Sequence, residues 1–223
     1  MVNIIMNCDR GGRMSGDERR EQIIHTAVEV FSKHGFSGTT TKSIAEAAGI
    51  SEAMVFRHFA SKDDLYEAIL HDKLCEGGDK QFPWLGDPEL EGAMARGDDH
   101  EVFFQLAVRA LNKHQADSGF MRLIFYAALE DHDMSEQFVK NFMRQIYEFI
   151  GGYIERRQKD GAMRNVNPRI IVRAFMGMLI HHSLNNILWD KKRTLLDISN
   201  EEAARNFADV LLNGVLAANS SKG

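Results

Sequence analysis

Proline is scarce in this chain, three residues in 223, and β-branched runs are few. With abundant Ala, Leu, Ile and Met, that scarcity favours an all-helical protein. Cysteine is scarcer still. Cys8 and Cys75 stand isolated, so no disulfide framework is expected and a reducing, cytoplasmic compartment is the default. No apolar run reaches the roughly 18 residues of a membrane span. The opening MVNIIMNCDRGGRM carries only a small apolar patch and does not read as a signal peptide. Catalytic signatures are also missing: no nucleophile elbow, no Gly-rich phosphate loop, no HExxH. Glu130-Asp131-His132-Asp133 resembles a metal tract, but its spacing matches no ligand template and acids before a helix start suit the dipole. His181 and His182 are adjacent, about 100° apart on a helix. Neither an enzyme nor a metal or other cofactor is expected. Positive charge does not dominate either: 27 Lys and Arg against 32 Asp and Glu leave a net charge of −5. A nucleic-acid binder of this composition must rely on local placement of its cations, here Arg57, Lys62, Lys42 and the flexible Arg10, Arg13, Arg19 and Arg20.

What is present concentrates in Thr39 to Leu65, TTTKSIAEAAGISEAMVFRHFASKDDL. Thr40, Thr41, Ser43 and Asp63 are residues that cap helix N-termini by accepting backbone N–H bonds. Ile44, Ala45 and Ala48 share one face of a short helix, and Gly49 ends it with a left-handed turn. Ile50 plugs the turn, and Ser51 caps a second short helix, Glu52 to His58. Val55 and Phe59, four apart, anchor that helix to the core. A third helix opens at Ala60-Ser61-Lys62-Asp63. Two short helices joined by a tight Gly turn form a helix-turn-helix. The second is about 10 Å long at 1.5 Å per residue, short enough to set its N-terminal end in a major groove about 12 Å wide.

These residues, continued as TTTKSIAEAAGISEAMVFRHFASKDDLYEAI, resemble the DNA-binding domain of the tetracycline-repressor (TetR) family. The resemblance covers roughly Arg19 to Leu70. It implies phosphate contacts from Thr40, Thr41 and Lys42 at the N-terminus of the first short helix, where the dipole also favours anions. Ser51, Ala53 and Met54 open the second helix, and Ala53 and Met54 face base edges. Neither can make a bidentate hydrogen bond, so they meet thymine methyls or let the backbone approach. Arg57 is therefore expected to make the main polar contact. Phe56 replaces the family's usual tyrosine and loses a hydroxyl contact to phosphate. His58 and Lys62 occupy phosphate positions.

Around this head the chain divides into an arm (1–15), the helix-turn-helix domain (16–75), a Gly- and acid-rich connector (76–98) and a helical domain (99–219). Ser15 or Asp17 caps a first helix to about His34, with Ile23, Ile24, Ala27, Val28 and Phe31 on one stripe. The connector reads as a solvated linker or a lid, with a short helix at Pro88 to Ala95. Beyond it, helices are expected over 99–117, 120–130 (apolar all round, hence buried), 135–159 capped by Ser135, 168–189 and 200–218. The expected fold class is all-α: a three- or four-helix head followed by a helical bundle, about nine helices, in a homodimer.

Phe and Met are in excess in the second half. Phe103, Phe104, Phe125, Tyr126, Phe142, Met143, Phe149 and Met176 either line an apolar cavity or fill the core. Ala107 and Leu129 complete the candidate lining, and Arg122, His181 or Asn185 supplies polar groups. The last two helices carry apolar residues on more than one side. In proteins of the resembled family such helices pair with a second copy, which assigns Phe175, Met178, His182, Ala204, Phe207, Leu211 and Val215 to a dimer interface. The resemblance implies a repressor of a palindromic double-stranded DNA operator, released by an apolar or amphipathic small molecule. The alternative is a ligand-independent regulator or activator on the same scaffold.

Overall fold

A computed structural model of the chain describes residues 15–75 and 86–213. Expectations for the arm with Cys8, Arg10 and Arg13, for residues 76–85 and for Val215 lie outside these. The described residues form eleven α-helices: α1 Gly16–His34, α2 Thr41–Ala48, α3 Glu52–His58, α4 Lys62–Cys75, α5 Pro88–Arg96, α6 Asp99–Ala116, α7 Ser118–Leu129, α8 Asp133–Phe138, α9 Arg144–Lys159, α10 Pro168–Leu184 and α11 Asn200–Asn213. The chain divides between Ile69 and Leu70 into two compact units.

In the first unit the N-caps act as their residue types dictate. Ser15 accepts from the Glu18 N–H while Glu18 reaches back to the Ser15 N–H, a capping box that starts α1. Ile23, Ile24, Ala27, Val28 and Phe31 are buried on one face of α1. Phe31 and Tyr66 meet edge to face at 4.7 Å, and Phe36 closes on Tyr66 at 5.0 Å. This aromatic trio, with Ile44, Val55, Phe59 and Leu65, is the core under the short helices. Asp63 is not a cap: the Ser61 hydroxyl accepts from the Asp64 N–H, so Asp63 already lies within the first turn of α4.

The second unit is a bundle around α6, whose Val102, Phe103, Leu106, Ala107 and Leu111 are buried. α5 falls inside the stretch read as a connector, and its Leu90 and Ala93 are fully buried in this core. The Arg157 guanidinium grips Asp99 (Nε–Oδ1 2.8 Å, Nη2–Oδ2 3.1 Å), and the Tyr153 hydroxyl donates to the same carboxylate at 2.6 Å. These bonds tie α9 to the start of α6. Burial, then the Asp99 carboxylate, pushes the Tyr153 phenol far above its ordinary range. The expected single helix 135–159 begins at Asp133 and is divided into α8 and α9 by a π-helical segment, Val139–Met143; this split and α5 take the helix count from about nine to eleven. Ser135 lies within α8 and donates to the His132 carbonyl rather than capping. α7 is less buried than its apolar sequence suggests. Only Leu123 and Ala127 are buried, and Leu129 is 81% exposed. An apolar-all-round helix is enclosed only where neighbours cover every side.

Candidate nucleic-acid interface

Thr40 caps α2 by accepting from the Ser43 N–H at 3.0 Å, and the Ser43 hydroxyl accepts from the Thr40 N–H at 3.1 Å. α2 ends at Gly49 in the left-handed region (φ 67°, ψ 32°), where the Ile50 N–H bonds back to the Ala45 carbonyl. Ser51 then caps α3 by accepting from the Met54 N–H. Val55 and Phe59 are 1% and 2% exposed, so α3 is pinned on one side and open on the other. Gln22 of α1 donates to the Ala48 carbonyl, and the Arg20 guanidinium lies 5.4 Å from the Phe59 ring centre. Both contacts brace the motif from behind.

The expected contact residues now separate by what each side chain is free to do. Ala53 and Phe56 are exposed, Phe56 at 49%, so its ring is available to a sugar or a thymine methyl. Arg57 and Lys42 are exposed, and among the described residues nothing pairs with either. Met54 and His58 are half-buried, His58 leaning against Phe59. Thr41 is half-buried, and its hydroxyl donates to the Glu52 carboxylate at 2.5 Å, tying the starts of α2 and α3 together. The hydroxyls of Thr40 and Ser51 serve as caps. Lys62, expected beside a phosphate, is turned inward. Its ammonium donates to the carbonyls of Phe36 (2.8 Å) and Thr39 (3.0 Å) and sits 3.9 Å from the Phe36 ring centre. It staples the α1–α2 loop to the start of α4. Arg19 and Arg20, expected to be flexible cations, lie in α1. Residues 15–69 hold six Lys and Arg against nine Asp and Glu, so the cations available to a duplex are chiefly Arg57 and Lys42.

In the second unit the candidate lining does not converge on one place. Phe103 and Ala107 are core, Phe103 packing edge to face on Phe175 at 5.1 Å. Phe104 is half-buried beneath the Arg205 guanidinium. Phe125, Tyr126, Met143 and Phe149 are half-buried, and His181 is exposed beside Trp189. Phe142 and Met176 do line an apolar cavity of ≈ 50 Å³, together with Leu106, Ile146 and Leu179. Arg122 lines a separate polar cleft.

The interface assignment is corrected for Phe175, Ala204 and His182. All three are buried within their own chain, because the 100° step of a helix turns them to the α6 side. Phe207 is half-buried against His182, while Met178 and Leu211 are half-buried and partly reachable. Sequence reasoning missed Lys113, His114 and Ser183. Burial pushes His114 down to about 4, with the nearby Lys113 charge adding to the shift, and its Nδ1 lies 2.9 Å from the Ser183 hydroxyl. Burial likewise lowers Lys113. The available signal was spacing: His114 follows Ala107 and Leu111 at i+7 and i+3 on the buried stripe of α6.

Residues 23–69 match the family model described as bacterial regulatory proteins, tetR family. The HTH-type transcriptional activator FasR of Mycolicibacterium smegmatis is 41% identical over 71 residues, 30% of this chain and 32% of FasR, so that match spans about a third of the relative. The HTH-type transcriptional regulator AcrR of Shigella flexneri is 25% identical over 213 residues, 91% of this chain and 92% of AcrR. Among solved structures, the transcriptional regulator FadR from Bacillus subtilis, in complex with stearoyl-CoA, aligns with TM-score 0.67 and 14% identity over 88% of this chain and 99% of FadR. The matched stretch runs from the buried stripe of α1 through the Gly49 turn and α3 into α4, and on that coincidence the head is a DNA-binding domain of the TetR family of regulators.

Proposed function

We propose that the protein represses transcription as a homodimer bound to a palindromic operator, and that an amphipathic small molecule held in the second unit releases it. The observation that carries the DNA half of this reading is the open face of α3, with Ala53, Phe56 and an unpaired Arg57 standing outward from a helix pinned by Val55 and Phe59. The ligand half is supported by the cavity beside Phe142 and Met176. At ≈ 50 Å³ it holds little more than one or two small groups, so a longer chain must displace its walls. Phe142 lies in the π-helical segment, a local register change of the kind that recurs at functional sites. The fold shared with a stearoyl-CoA-bound regulator points the same way. Release needs only that the ligand bind more tightly to a head spacing unsuited to the two half-sites.

For the dimer, the exposed stripe of α10 replaces the buried residues first considered. Ile170, Ala174, Gly177 and His181 recur at i, i+4, i+7 and i+11, with Met178 at the edge and Val210 exposed on α11. A Cβ added at Gly177 would meet nothing within its own chain, which leaves room for close approach by a second helix. Light scattering should give a dimer, and Gly177→Arg should give a monomer that retains its helical spectrum. A monomeric wild type would remove the dimer reading.

The decisive experiment is a gel shift on DNA upstream of the protein's own gene, with and without candidate amphipathic ligands. No shift on any upstream DNA would defeat the regulator reading. The similarity of the head to FasR, an activator, supports a second reading in which the bound protein recruits rather than blocks. A reporter fused to that upstream DNA separates the two by the sign of its response to deletion.

A further inference from the structure

Beside the apolar cavity, and within the same unit, lies a second and larger hollow. It measures ≈ 420 Å³ and is bounded by the end of α6, the start of α7, the end of α10 and the loop that leads into α11. Its charged lining is Arg122, Lys191 and Arg193, with no carboxylate among the lining residues. The nearest acid along the chain, Asp190, is already committed. Its carboxylate accepts from the Thr194 N–H, the Thr194 hydroxyl and the Leu195 N–H at 2.7–2.8 Å, bonds that hold it below the usual carboxylate range. That turn holds Arg193 at φ 53°, a left-handed conformation uncommon for a residue with a side chain. One Arg193 N–H reaches the Ile198 carbonyl at 3.2 Å. The field in the cleft is felt by His182: burial and then the Arg193 charge depress its basicity.

The two hollows share a wall. Ser183 lines the cleft, His114 lines the apolar cavity, and the two side chains are hydrogen-bonded across the boundary at 2.9 Å. Parting that pair costs one hydrogen bond. The cavity side is mainly apolar, with Lys113 at its edge, and the cleft side holds three cations.

We propose that the cationic cleft is the head-group subsite of the effector cavity: Arg122, Lys191 and Arg193 hold the carboxylate or phosphate end of an amphipathic ligand whose hydrocarbon end passes the His114–Ser183 pair toward Phe142 and Met176. This rests on the effector reading above and narrows it from amphipathic molecules to anionic ones. Calorimetric titration of the full chain with decanoate, decanoyl-CoA and decanol tests it. At least one anionic probe should bind about tenfold or more tightly than decanol, because charge-assisted bonds to a guanidinium are the strong ones. Which anion gains names the source, a free acid or a thioester of a phosphorylated carrier. Lys191→Gln, at an exposed position, and Arg122→Gln should each erode that advantage several-fold and leave decanol binding unchanged, and added salt should act in the same sense. If decanol binds as tightly as both anions, or if the variants weaken all three probes equally, the head-group assignment falls while the effector reading stands. If none of the three binds, both fall.

Discussion

The head and the second unit differ in how far each contact reaches along the chain. In the head the contacts that make the motif are local. Thr40 caps through Ser43 three residues on, Ser51 through Met54, and Gly49 turns the chain back to Ala45. In the second unit the deciding contacts are distant: Arg157 to Asp99, His114 to Ser183, Phe103 to Phe175. Residue type alone dictates the first kind, because a cap needs only an oxygen at the right spacing. The second kind depends on which helix faces which.

The largest test of this contrast is a core truncation on each side. Phe31→Ala and Phe103→Ala should each cost about 3–5 kcal/mol, the usual range for a buried Phe. The first should abolish operator binding, and the second should abolish binding of any effector in the cavity. Urea melts with both ligand assays check the pair, and a Phe31→Ala protein that still shifts DNA would break the division.

Next in size is a pH effect confined to the second unit. Burial, and then the Lys113 charge, hold the His114 imidazole down at about 4, below the ordinary histidine value of 6.5. Above 6.5 the imidazole is neutral in both states and nothing is lost. As pH falls from 6.5 toward 4 the unfolded chain takes up a proton that the native one refuses. Stability should then decline by on the order of 3 kcal/mol at most and level off below 4. His114→Gln should flatten that part of the profile in chemical-denaturation midpoints measured across pH.

Within the head, Arg57→Ala should weaken specific operator binding by about 1–3 kcal/mol. Lys62→Ala should instead lower stability by about 1–2 kcal/mol, because it removes charged donors from two loop carbonyls, and should leave the salt dependence of binding unaltered. Fluorescence anisotropy at several salt concentrations, run beside a thermal melt, separates the two. A reduced salt slope in the lysine variant would return it to the phosphates. The smallest expected effect is Thr40→Ala, about 1 kcal/mol from the lost cap, read by the same melt.

How much of this was legible in the sequence follows from the same contrast. The α1 stripe, the Gly49 turn, the Ser51 cap and the buried pair Val55 and Phe59 were readable, since each is a spacing rule within one element. Lys62 was not. Its position before a helix suggested an outward charge, but the loop carbonyls that capture it come from residues 36 and 39, more than twenty positions earlier. The interface residues fared similarly. Phe175 and Ala204 lie on apolar stripes, but a helix with two apolar sides does not declare which side its own chain will cover.

The sequence by itself determined that the chain is helical, where a helix-turn-helix head stands, and which residues cap and pin it. Periodicity and capping act over one to two turns and leave their pattern in residue order. Only the tertiary structure decided that Lys62 faces inward, that Gly177 is exposed where Phe175 is buried, and that Arg122, Lys191 and Arg193 gather around one cleft. Those outcomes depend on the rotation and register of packed helices, in which a single 100° step moves a side chain from solvent to core.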